Sequence, residues 1–381
     1  MIALLLILTL FYMAALLIIS RGINRLPQPA AAGDPLPFIS VIVAARNEAG
    51  HITALLESLG RQDYPREQHE IILVDDASTD GTAEKIEKWI NANPRSTIRL
   101  IHSQGREGVV SPKKHALTQG ITSARGEILL FTDADCQPPS SWISTLRAAF
   151  HQEVGMVVGY SPYEIPQPTT LGQRFLALES LSLAALAAGT TGLGRPATCT
   201  GRNLGYRKSV WLQVNGFEPI AGFVSGDDDL FLKQVLDRTS WRIVYALDPG
   251  AIVPTRLLDS GKAFFRQRLR HASKGFYYGW KMSCILALAW LFNLLLLVCA
   301  ISSLFSPALF LWVWAAWTGK AAAELLLLIR FARPMQRLQT LAIFPQAEVA
   351  HVLYVVLFGA LGPLTRVRWK ETAAHANPLN R

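Results

Sequence analysis

Two aspartates, Asp133 and Asp135, follow directly after an apolar, β-rich run that ends at Phe131. At this spacing, two hard carboxylate oxygens can hold Mg²⁺ or Mn²⁺ while the remaining coordination positions of the metal take phosphate oxygens. Acidic pairs at strand ends also form turns and helix caps. The pair therefore predicts either a metal and diphosphate site or a turn, and the other polar clusters of the chain must separate these alternatives.

Two further acidic clusters could likewise have either a structural or a chemical role. Asp75 and Asp76 begin the run Asp-Asp-Ala-Ser-Thr-Asp-Gly, which is also typical of turns and helix caps. Asp227, Asp228 and Asp229 precede an apolar helical pattern, and we expect all three on its first turn, where the helix dipole stabilises anions. The alternative is a general base, since transfer of a group to a hydroxyl needs a carboxylate that removes the hydroxyl proton.

A basic stretch at residues 256–282 contains Gln267 and Arg270 and is rich in aromatic residues. Such a composition predicts an amphipathic helix at a membrane interface, with an aromatic belt and arginine side chains that reach the headgroups. An arginine in this position could also stabilise the charge that develops on a departing diphosphate. The two interpretations are compatible with each other.

Apolar, β-rich runs alternate with helical patterns over residues 38–255. The first strand is predicted at 38–44, and the helix that follows has its apolar face at 52–59 and is expected to be capped by Asn47. Further strands are predicted at 70–74, 97–101, 127–132 and 154–160, with helices between them. This alternation predicts an α/β fold with a mainly parallel sheet and helices on both faces. Because such sheets bind ligands at the carboxyl ends of their strands, the acidic clusters should lie at one edge.

The amino-terminal segment, residues 1–20, is apolar and long enough to span a bilayer. Arg21 and Arg25 follow it, so the positive-inside bias places the downstream domain in the cytoplasm. No basic residue precedes Ile2, which favours an uncleaved anchor over a signal peptide. We therefore expect an integral membrane protein, of a bacterial inner membrane, with a cytoplasmic catalytic domain.

Residues 21–37 are rich in proline and alanine and are predicted to be a stiff linker. The region 283–362 is predicted to hold two to three spans, at 283–305, 308–329 and 338–361. The third of these contains Pro345, Glu348 and His351, so the sequence leaves open whether it crosses the membrane or is re-entrant. A basic tail at 363–381 ends the chain.

The net charge is +9, and the surplus of Lys and Arg lies beside the apolar segments. This placement favours contact with anionic lipid headgroups and predicts that the protein does not bind nucleic acid. The four cysteines lack metal-ligand spacing, so neither a zinc site nor a disulfide framework is expected.

In their order and spacing, these motifs resemble the family 2 glycosyltransferases, which include cellulose, chitin and hyaluronan synthases and ceramide glucosyltransferase. The resemblance extends over residues 38–271 and is carried by a set of short segments. These segments are 41–48, 74–81, Lys113 with 116–117, 133–135, 200–207, 226–228 and 267–270. The resemblance implies a GT-A fold, which is Rossmann-like, with transmembrane helices added at both ends.

The resemblance also implies roles for individual residues. Asp75 and Asp76 would contact the base and ribose of a nucleotide, and Ala45, Asn47, Glu48 and Lys113 would lie in or near its pocket. Asp133 and Asp135 would hold the diphosphate and the metal, and Gln267 and Arg270 would close over the diphosphate. Asp228, or Asp227 under another alignment of the triplet, would be the acceptor base. Thr200, Gly201 and Asn203 would lie on the acceptor side, and His271 replaces the tryptophan usual in the family.

The function expected from this resemblance is that of a membrane-bound, inverting glycosyltransferase. The donor would be a UDP-sugar or, alternatively, a GDP-sugar, and the acceptor a lipid or lipid-linked glycan. A processive polysaccharide synthase, with partner subunits or as a homo-oligomer, is the alternative within the family. Outside the family, a non-catalytic nucleotide-binding membrane scaffold and a nucleotidyltransferase are alternatives. The scaffold would require loss of the catalytic carboxylates, which are all present.

Overall fold

The computed structural model describes residues 1–27, 36–105, 108–257, 265, 268–269 and 280–362. The predicted interfacial helix at 256–282 and the basic tail at 363–381 therefore lie almost entirely outside the described residues.

Seven strands form a single sheet in the order β3-β2-β1-β4-β6-β5-β7. They are β1 (Ile39–Ala45), β2 (His69–Asp75), β3 (Ile98–His102), β4 (Ile128–Phe131), β5 (Val154–Val158), β6 (Leu204–Arg207) and β7 (Arg242–Tyr245). All neighbouring strands are parallel except for β6, which is antiparallel to both β4 and β5. The predicted mainly parallel sheet is confirmed.

The strands are buried on both faces because helices cover both sides of the sheet. In β1, Val41 and Val43 point into one apolar core and Ile42 points into the other, as expected from the alternation of side chains along a strand. The water-facing domain contains α2 (Ile52–Leu59), α3 (Thr82–Ala92), α4 (Pro112–Ser123), α5 (Trp142–Ala148), α7 (Lys208–Gln213) and α8 (Asp229–Arg238).

Within the described part of the chain, five helical segments are long and apolar enough to cross a membrane. They are α1 (Ile2–Ile23), α6 (Leu171–Gly192), α9 (Trp280–Ser303), α10 (Pro307–Ala332) and the segment 338–361, which ends in α11 (Phe344–Leu361). Helix α6 is the unexpected member, because it lies inside the range 38–255 that the sequence pattern assigns to the α/β domain.

Helices α1 and α6 approach each other through glycines. A Cβ atom on Gly22 would lie 2.0 Å from the carbonyl oxygen of Gly189, and one on Gly192 would lie 1.9 Å from that of Gly22. The backbones therefore touch where no side chain fits. The amino-terminal helix is thus packed against the helix that follows β5.

The sheet and the apolar helices share one core. Tyr160 lies just after β5, and Tyr245 is the last residue of β7. Their rings pack edge-on against Phe331 of α10, at centroid distances of 5.4 and 5.8 Å. The same core cluster contains Ile42 of β1 and Leu178 of α6. This packing holds the strand ends in a fixed position above the apolar helices.

The segment 338–361 changes conformation beside its proline. A 3-10 helix, Leu338–Ile343, leads into α11, whose first turn contains Pro345. A proline suits the first turn because the N–H that it lacks has no partner within the helix.

Candidate active site

The loops after β1 and β2 form the first part of the site. The Asp76 amide donates to the carbonyl oxygen of Ala45 at 2.8 Å, and the Arg46 guanidinium lies 3.7 Å from the Asp76 carboxylate. Asp75 accepts hydrogen bonds from the Ser78 amide at 3.3 Å. Both aspartates are buried. The structure therefore brings together Ala45, Asp75 and Asp76, which the resemblance assigns to the nucleotide pocket.

Asn47 joins these two loops, and the prediction that it caps α2 is wrong. The residue at the start of α2 is His51. The Asn47 side chain instead accepts a hydrogen bond from the Thr79 amide at 2.9 Å, and its backbone has a left-handed φ of 55°. Asparagine tolerates this conformation better than most residues.

The link between the loops after β1 and β2 also includes Glu48 and Asp80. Asp80 was not predicted as a site residue from the sequence. The Glu48 amide donates to the Thr82 hydroxyl at 2.8 Å, and the Ala49 amide donates to Asp80 at 2.9 Å. Asp80 also accepts from the Thr82 amide at 3.1 Å. Its place in the Asp-x-Ser-Thr-Asp-Gly run was a signal of turn chemistry, and that chemistry fixes the pocket wall.

A lysine connects the acidic clusters that follow β4 and precede α8. The Lys113 ammonium lies 2.9 Å from Asp133 and 3.0 Å from Asp227. These three residues are called the strand-end cluster below. Burial lowers the pKa of Lys113, but the charges of Asp133 and Asp227 outweigh burial and raise it well above its usual value. Lys113 therefore remains charged.

Asp133 and Asp135 have opposite pKa shifts. Burial raises the pKa of Asp133, but the nearby Lys113 outweighs it, and the pKa is lowered. The pKa of Asp135 is raised, first by burial and then by the charge of Asp133, while Arg202 opposes the shift. The Asp135 side of the site therefore has too little positive charge to balance its carboxylates.

The donor set of this site fits a hard divalent cation. Asp133 and Asp135 supply carboxylate oxygens, which Mg²⁺ prefers, and a cation would offset the charge that raises the pKa of Asp135. The Thr132 hydroxyl lines the same small cavity as Lys113 and Asp227, and it is buried without a hydrogen-bond partner among the described residues. An unpaired buried hydroxyl of this kind is satisfied when a ligand or water enters.

Helix α8 begins at Asp229, two residues later than the Asp227–Asp229 pattern suggests. The prediction of three carboxylates on its first turn is therefore wrong, because Asp228 is the N-cap and only Asp229 lies within the helix. Asp228 accepts from the Asp229 amide at 2.7 Å and from the Gly201 amide at 3.2 Å. Gly226, with φ at 104°, provides the turn that brings Asp227 toward Lys113.

Of the three residues predicted on the acceptor side, Gly201 lies beside the acidic turn and Asn203 does not face the site. A Cβ atom on Gly201 would lie 3.3 Å from the Asp227 carboxylate. Thr200 accepts from the Arg202 amide at 3.4 Å. Asn203 is fully buried, so its predicted position on the acceptor side is not observed, and the residue has a structural role instead.

The Asn203 amide joins three parts of the fold. It donates to the carbonyl oxygens of Tyr160 and Ala251 at 2.8 and 2.6 Å and accepts from the Trp142 indole at 3.0 Å. Both N–H groups of this side chain and its oxygen are thus bonded within the protein, which supports a structural role.

Two basic residues near the site were not singled out from the sequence. Arg202 lies over the ring of Tyr163 at 5.4 Å and interacts with both Asp133 and Asp135. Lys114 is buried and donates to the carbonyl oxygen of Phe223 at 2.6 Å, which ties α4 to the loop before the acidic turn. In the sequence, only the position of Arg202 next to Gly201 and of Lys114 next to Lys113 indicated that they lie near the site.

Gln267 and Arg270 lie outside the described residues, so their predicted roles stay predictions. Arg268, between them, is buried and forms an ion pair of 2.5 Å with Glu179 of α6. The chain around the Gln-x-x-Arg motif is therefore connected to an apolar helix.

Comparisons with known proteins agree with this geometry. The family model described as "Glycosyl transferase family 2" matches residues 40–211, and the model described as "Glycosyl transferase family group 2" matches residues 128–329. The second match extends from β4 through most of α10 and covers more than half of the chain.

Two curated relatives are similar over parts of the chain. The glycosyltransferase AglE of Haloferax volcanii is 25% identical over 229 residues, which are 58% of this chain and 68% of AglE. The β-monoglucosyldiacylglycerol synthase of a Nostoc species is 33% identical over 123 residues, which are 32% of this chain. The matched segment spans only 25% of the Nostoc enzyme's own length.

Among solved structures, the mannosyltransferase PcManGT from Pyrobaculum calidifontis, determined with GDP-Man and Mn²⁺, has a similar fold. The TM-score is 0.57 at 20% sequence identity, over 95% of this chain and 98% of that one. The likeness supports a GT-A fold that continues into the apolar helices. The two family models show that this chain belongs to glycosyl transferase family 2.

Proposed function

We propose that this protein is a membrane-bound, metal-dependent, inverting glycosyltransferase that transfers a sugar from a nucleotide sugar to a lipid or lipid-linked acceptor. The domain of residues 38–255 would lie on the cytoplasmic side, with Mg²⁺ or Mn²⁺ as the metal. A UDP-sugar is the expected donor, and a GDP-sugar is the alternative.

The observation that carries this proposal is the strand-end cluster. Lys113 lies within 3.0 Å of both Asp133 and Asp227, although these aspartates come from separate parts of the chain. Asp228, the proposed base, directly follows Asp227, and its charge also raises the pKa of Lys113, so the residues proposed for the diphosphate and for proton removal lie close to one another. A displacement reaction needs this arrangement because the leaving group and the attacking hydroxyl act on the same carbon.

In the proposed reaction, the acceptor hydroxyl attacks the anomeric carbon of the sugar as the bond from that carbon to the diphosphate oxygen breaks. The hydroxyl proton passes to Asp228, and attack opposite to the leaving group inverts the anomeric centre. The Gly201 and Asp229 amides orient the Asp228 carboxylate. Lys113 and Arg202 provide positive charge near the diphosphate.

A divalent cation, when bound by Asp133 and Asp135, would supply charge to stabilise the leaving diphosphate. Asp227 has a different proposed role from Asp228. Its ion pair with Lys113 keeps the ammonium between the two acidic turns.

A lipid acceptor is favoured by the position of the apolar helices. The core that contains strand residues also contains residues of α1, α6 and α10, so the sheet lies directly against the helices. An acceptor that is itself embedded in the bilayer could present its head to the strand ends without leaving the membrane.

The test is release of nucleoside diphosphate by the detergent-solubilised full chain, across a panel of UDP- and GDP-sugars with Mg²⁺ or Mn²⁺ and membrane lipids. We expect Asp228→Asn to lower kcat by roughly 10²–10⁴-fold while donor affinity is kept. Asp237→Asn, on the exposed side of the same helix, is the matched control. If Asp227→Asn alone produces this pattern, Asp227 is the base instead.

A further inference from the structure

A cavity of about 620 Å³ lies among α1, α6, α9, α10 and α11. Its volume is within the range of roughly 300–1,000 Å³ that is usual for ligand pockets. Most of its wall is apolar and includes Leu16, Leu178, Leu327, Trp290 and Phe358. The wall therefore suits a hydrocarbon chain.

The opening of this cavity is apolar as well. Leu183 of α6 and Leu286 of α9 both line the cavity, and each is 45% exposed. Both residues belong to helices that are long and apolar enough to cross a membrane. An entrance with exposed leucines in such helices opens toward lipid, so the bilayer is the source of the occupant.

The cavity also has a polar end, which a hydrocarbon chain alone would not need. There, Arg268 and Glu179 form their 2.5 Å ion pair, and the Tyr354 hydroxyl donates to Glu179 at 2.5 Å. All three residues line the cavity. Polar and charged groups at membrane depth are costly and commonly mark a functional site.

A second polar group lies between α10 and α11. Glu324, Glu348 and His351 line the cavity there, and the Lys320 ammonium lies 2.8 Å from Glu324 and 2.6 Å from Glu348. These four residues are called the intramembrane cluster below. Lys320 is fully buried behind the carboxylates and does not line the cavity.

The charges around the cavity select the kind of lipid head. Among the described residues, three acidic side chains, those of Glu179, Glu324 and Glu348, line the cavity, while Arg268 and Lys320 are the basic side chains within ion-pair distance of them. Both cations are already within ion-pair distance of a carboxylate. Phosphate recognition needs a surplus of cationic donors, whereas carboxylates accept hydrogen bonds from hydroxyl groups. The cavity thus favours an uncharged head with hydroxyl groups over a phosphate.

The polar end of the cavity is also connected to the active site. Ser180, the residue after Glu179, donates to the carbonyl oxygen of Ser161 at 3.3 Å, and Arg202 lies over the ring of the nearby Tyr163 at 5.4 Å. Arg202 in turn interacts with Asp133 and Asp135. The end of the cavity that holds Glu179 is therefore linked through contacts of the protein to Arg202, which lies beside the carboxylates of the metal site.

From these observations we propose that the cavity binds the acceptor, and that the acceptor is a neutral lipid with a free hydroxyl group, of the diacylglycerol type. This inference rests on the proposed function, which leaves the acceptor's chemistry open. The lipid chains occupy the apolar wall, and the hydroxyl-bearing head lies at the end formed by Glu179, Arg268 and Tyr354.

The test is labelling of the full chain in detergent micelles by a photoreactive diacylglycerol. Ala289→Trp places a large ring in the cavity wall, and Leu288→Trp, at the next residue, is the control, because Leu288 is 55% exposed and does not line the cavity. We expect Ala289→Trp to reduce labelling at least about tenfold, because the ring takes up space that the lipid chain needs, and the control to match the wild type. Nucleotide-sugar binding, unchanged in both variants, shows that they are folded.

Competition by unlabelled lipids identifies which lipid head group the cavity binds. Unlabelled diacylglycerol should remove the label, while phosphatidic acid and a polyprenyl phosphate at the same concentration should not. Equal competition by the phosphate lipids, or equal labelling of Ala289→Trp and wild type, would overturn the inference. If nucleoside diphosphate is released with other acceptors while diacylglycerol neither labels the protein nor receives sugar, this inference fails and the proposed function stands. Absence of release with every donor and acceptor contradicts the proposed function itself.

Discussion

The strand-end cluster and the intramembrane cluster contain the same arrangement of charged groups. In each, one lysine ammonium lies between two carboxylates, with distances of 2.9 and 3.0 Å at Lys113 and of 2.8 and 2.6 Å at Lys320. Their surroundings differ. The Lys113 side chain is 30% exposed and lines a small cavity, whereas the Lys320 side chain is fully buried between helices.

This difference gives the two lysines different tasks. Where solvent and ligands have access, the protein's ion pairs can be exchanged for contacts with a diphosphate or a metal at small cost. Where both charges are removed from water, loss of one partner leaves the other uncompensated, so the cluster is fixed. We therefore assign ligand exchange to the strand-end cluster and a lasting structural role, beside the lipid cavity, to the intramembrane cluster.

The most severe change at the strand ends is removal of the proposed metal ligand. We expect Asp135→Ala to lower sugar transfer by at least about 10²–10³-fold, because the leaving diphosphate loses electrostatic stabilisation. Metal-dependent nucleotide binding should be lost in parallel, as measured by calorimetry with and without Mn²⁺. Asp237→Ala is the control, and full activity of Asp135→Ala would exclude a metal held by this residue.

Removal of the buried lysine tests the fixed cluster. Lys320→Met should lower the free energy of unfolding by about 3–5 kcal/mol, since two buried carboxylates lose their common partner. The melting temperature in detergent measures this effect. The double variant Lys320→Met with Glu348→Gln should recover part of the loss. An unchanged melting temperature of the single variant would show that the cluster does not hold the helices.

The matched substitution at the exposed lysine should have the opposite profile. Lys113→Met should change the melting temperature little, because partly exposed ion pairs contribute roughly 0–1 kcal/mol. Donor affinity should fall by about 10–100-fold, as expected for the loss of one charge-assisted contact. Melting curves and donor titrations of Lys113→Met and Lys320→Met, measured under the same conditions, test whether the two clusters differ in this way. Equal losses of stability would remove the distinction between the clusters.

The smallest expected effect is a shift in pH dependence. Metal and donor binding needs ionised Asp135, whose pKa is raised above its usual value by burial and by Asp133. Affinity should therefore be lost on acidification at a higher pH than for an ordinary aspartate. Arg202 opposes this shift, so Arg202→Gln should move the loss of affinity to higher pH still.

Donor affinity with Mn²⁺, measured across a pH series, tests this prediction. Arg242→Gln provides the control because Arg242 is exposed and pairs with Glu153 at a distance of 3.6 Å. A shift in the opposite direction in Arg202→Gln would mean that Arg202 does not act on Asp135.

Much of the water-facing domain follows from local sequence. The predicted strands at 38–44 and 70–74 are observed as Ile39–Ala45 and His69–Asp75, and the Asp133–Asp135 pair follows β4 as expected. These features depend on the alternation of apolar residues and on the position of polar residues just after a strand. Both are properties of neighbouring residues, so the sequence alone contains them.

Other features depend on which distant segments come together. The sequence suggested that Asn47 caps a helix and that Asn203 meets an acceptor, but the first joins two loops and the second is saturated inside the fold. An amide side chain can serve many partners. Only the packed structure decides which of them lies within hydrogen-bonding distance.

The tertiary structure likewise decided that α6 joins the apolar helices and that Lys113 and Lys320 each lie between two carboxylates. Local pattern determined the sheet, the acidic strand ends and the apolar segments, because periodicity and turn chemistry act over a few residues. The pairing of charges and the lipid-facing cavity arise only when residues far apart in sequence pack together, since burial and distance set the energy of each contact.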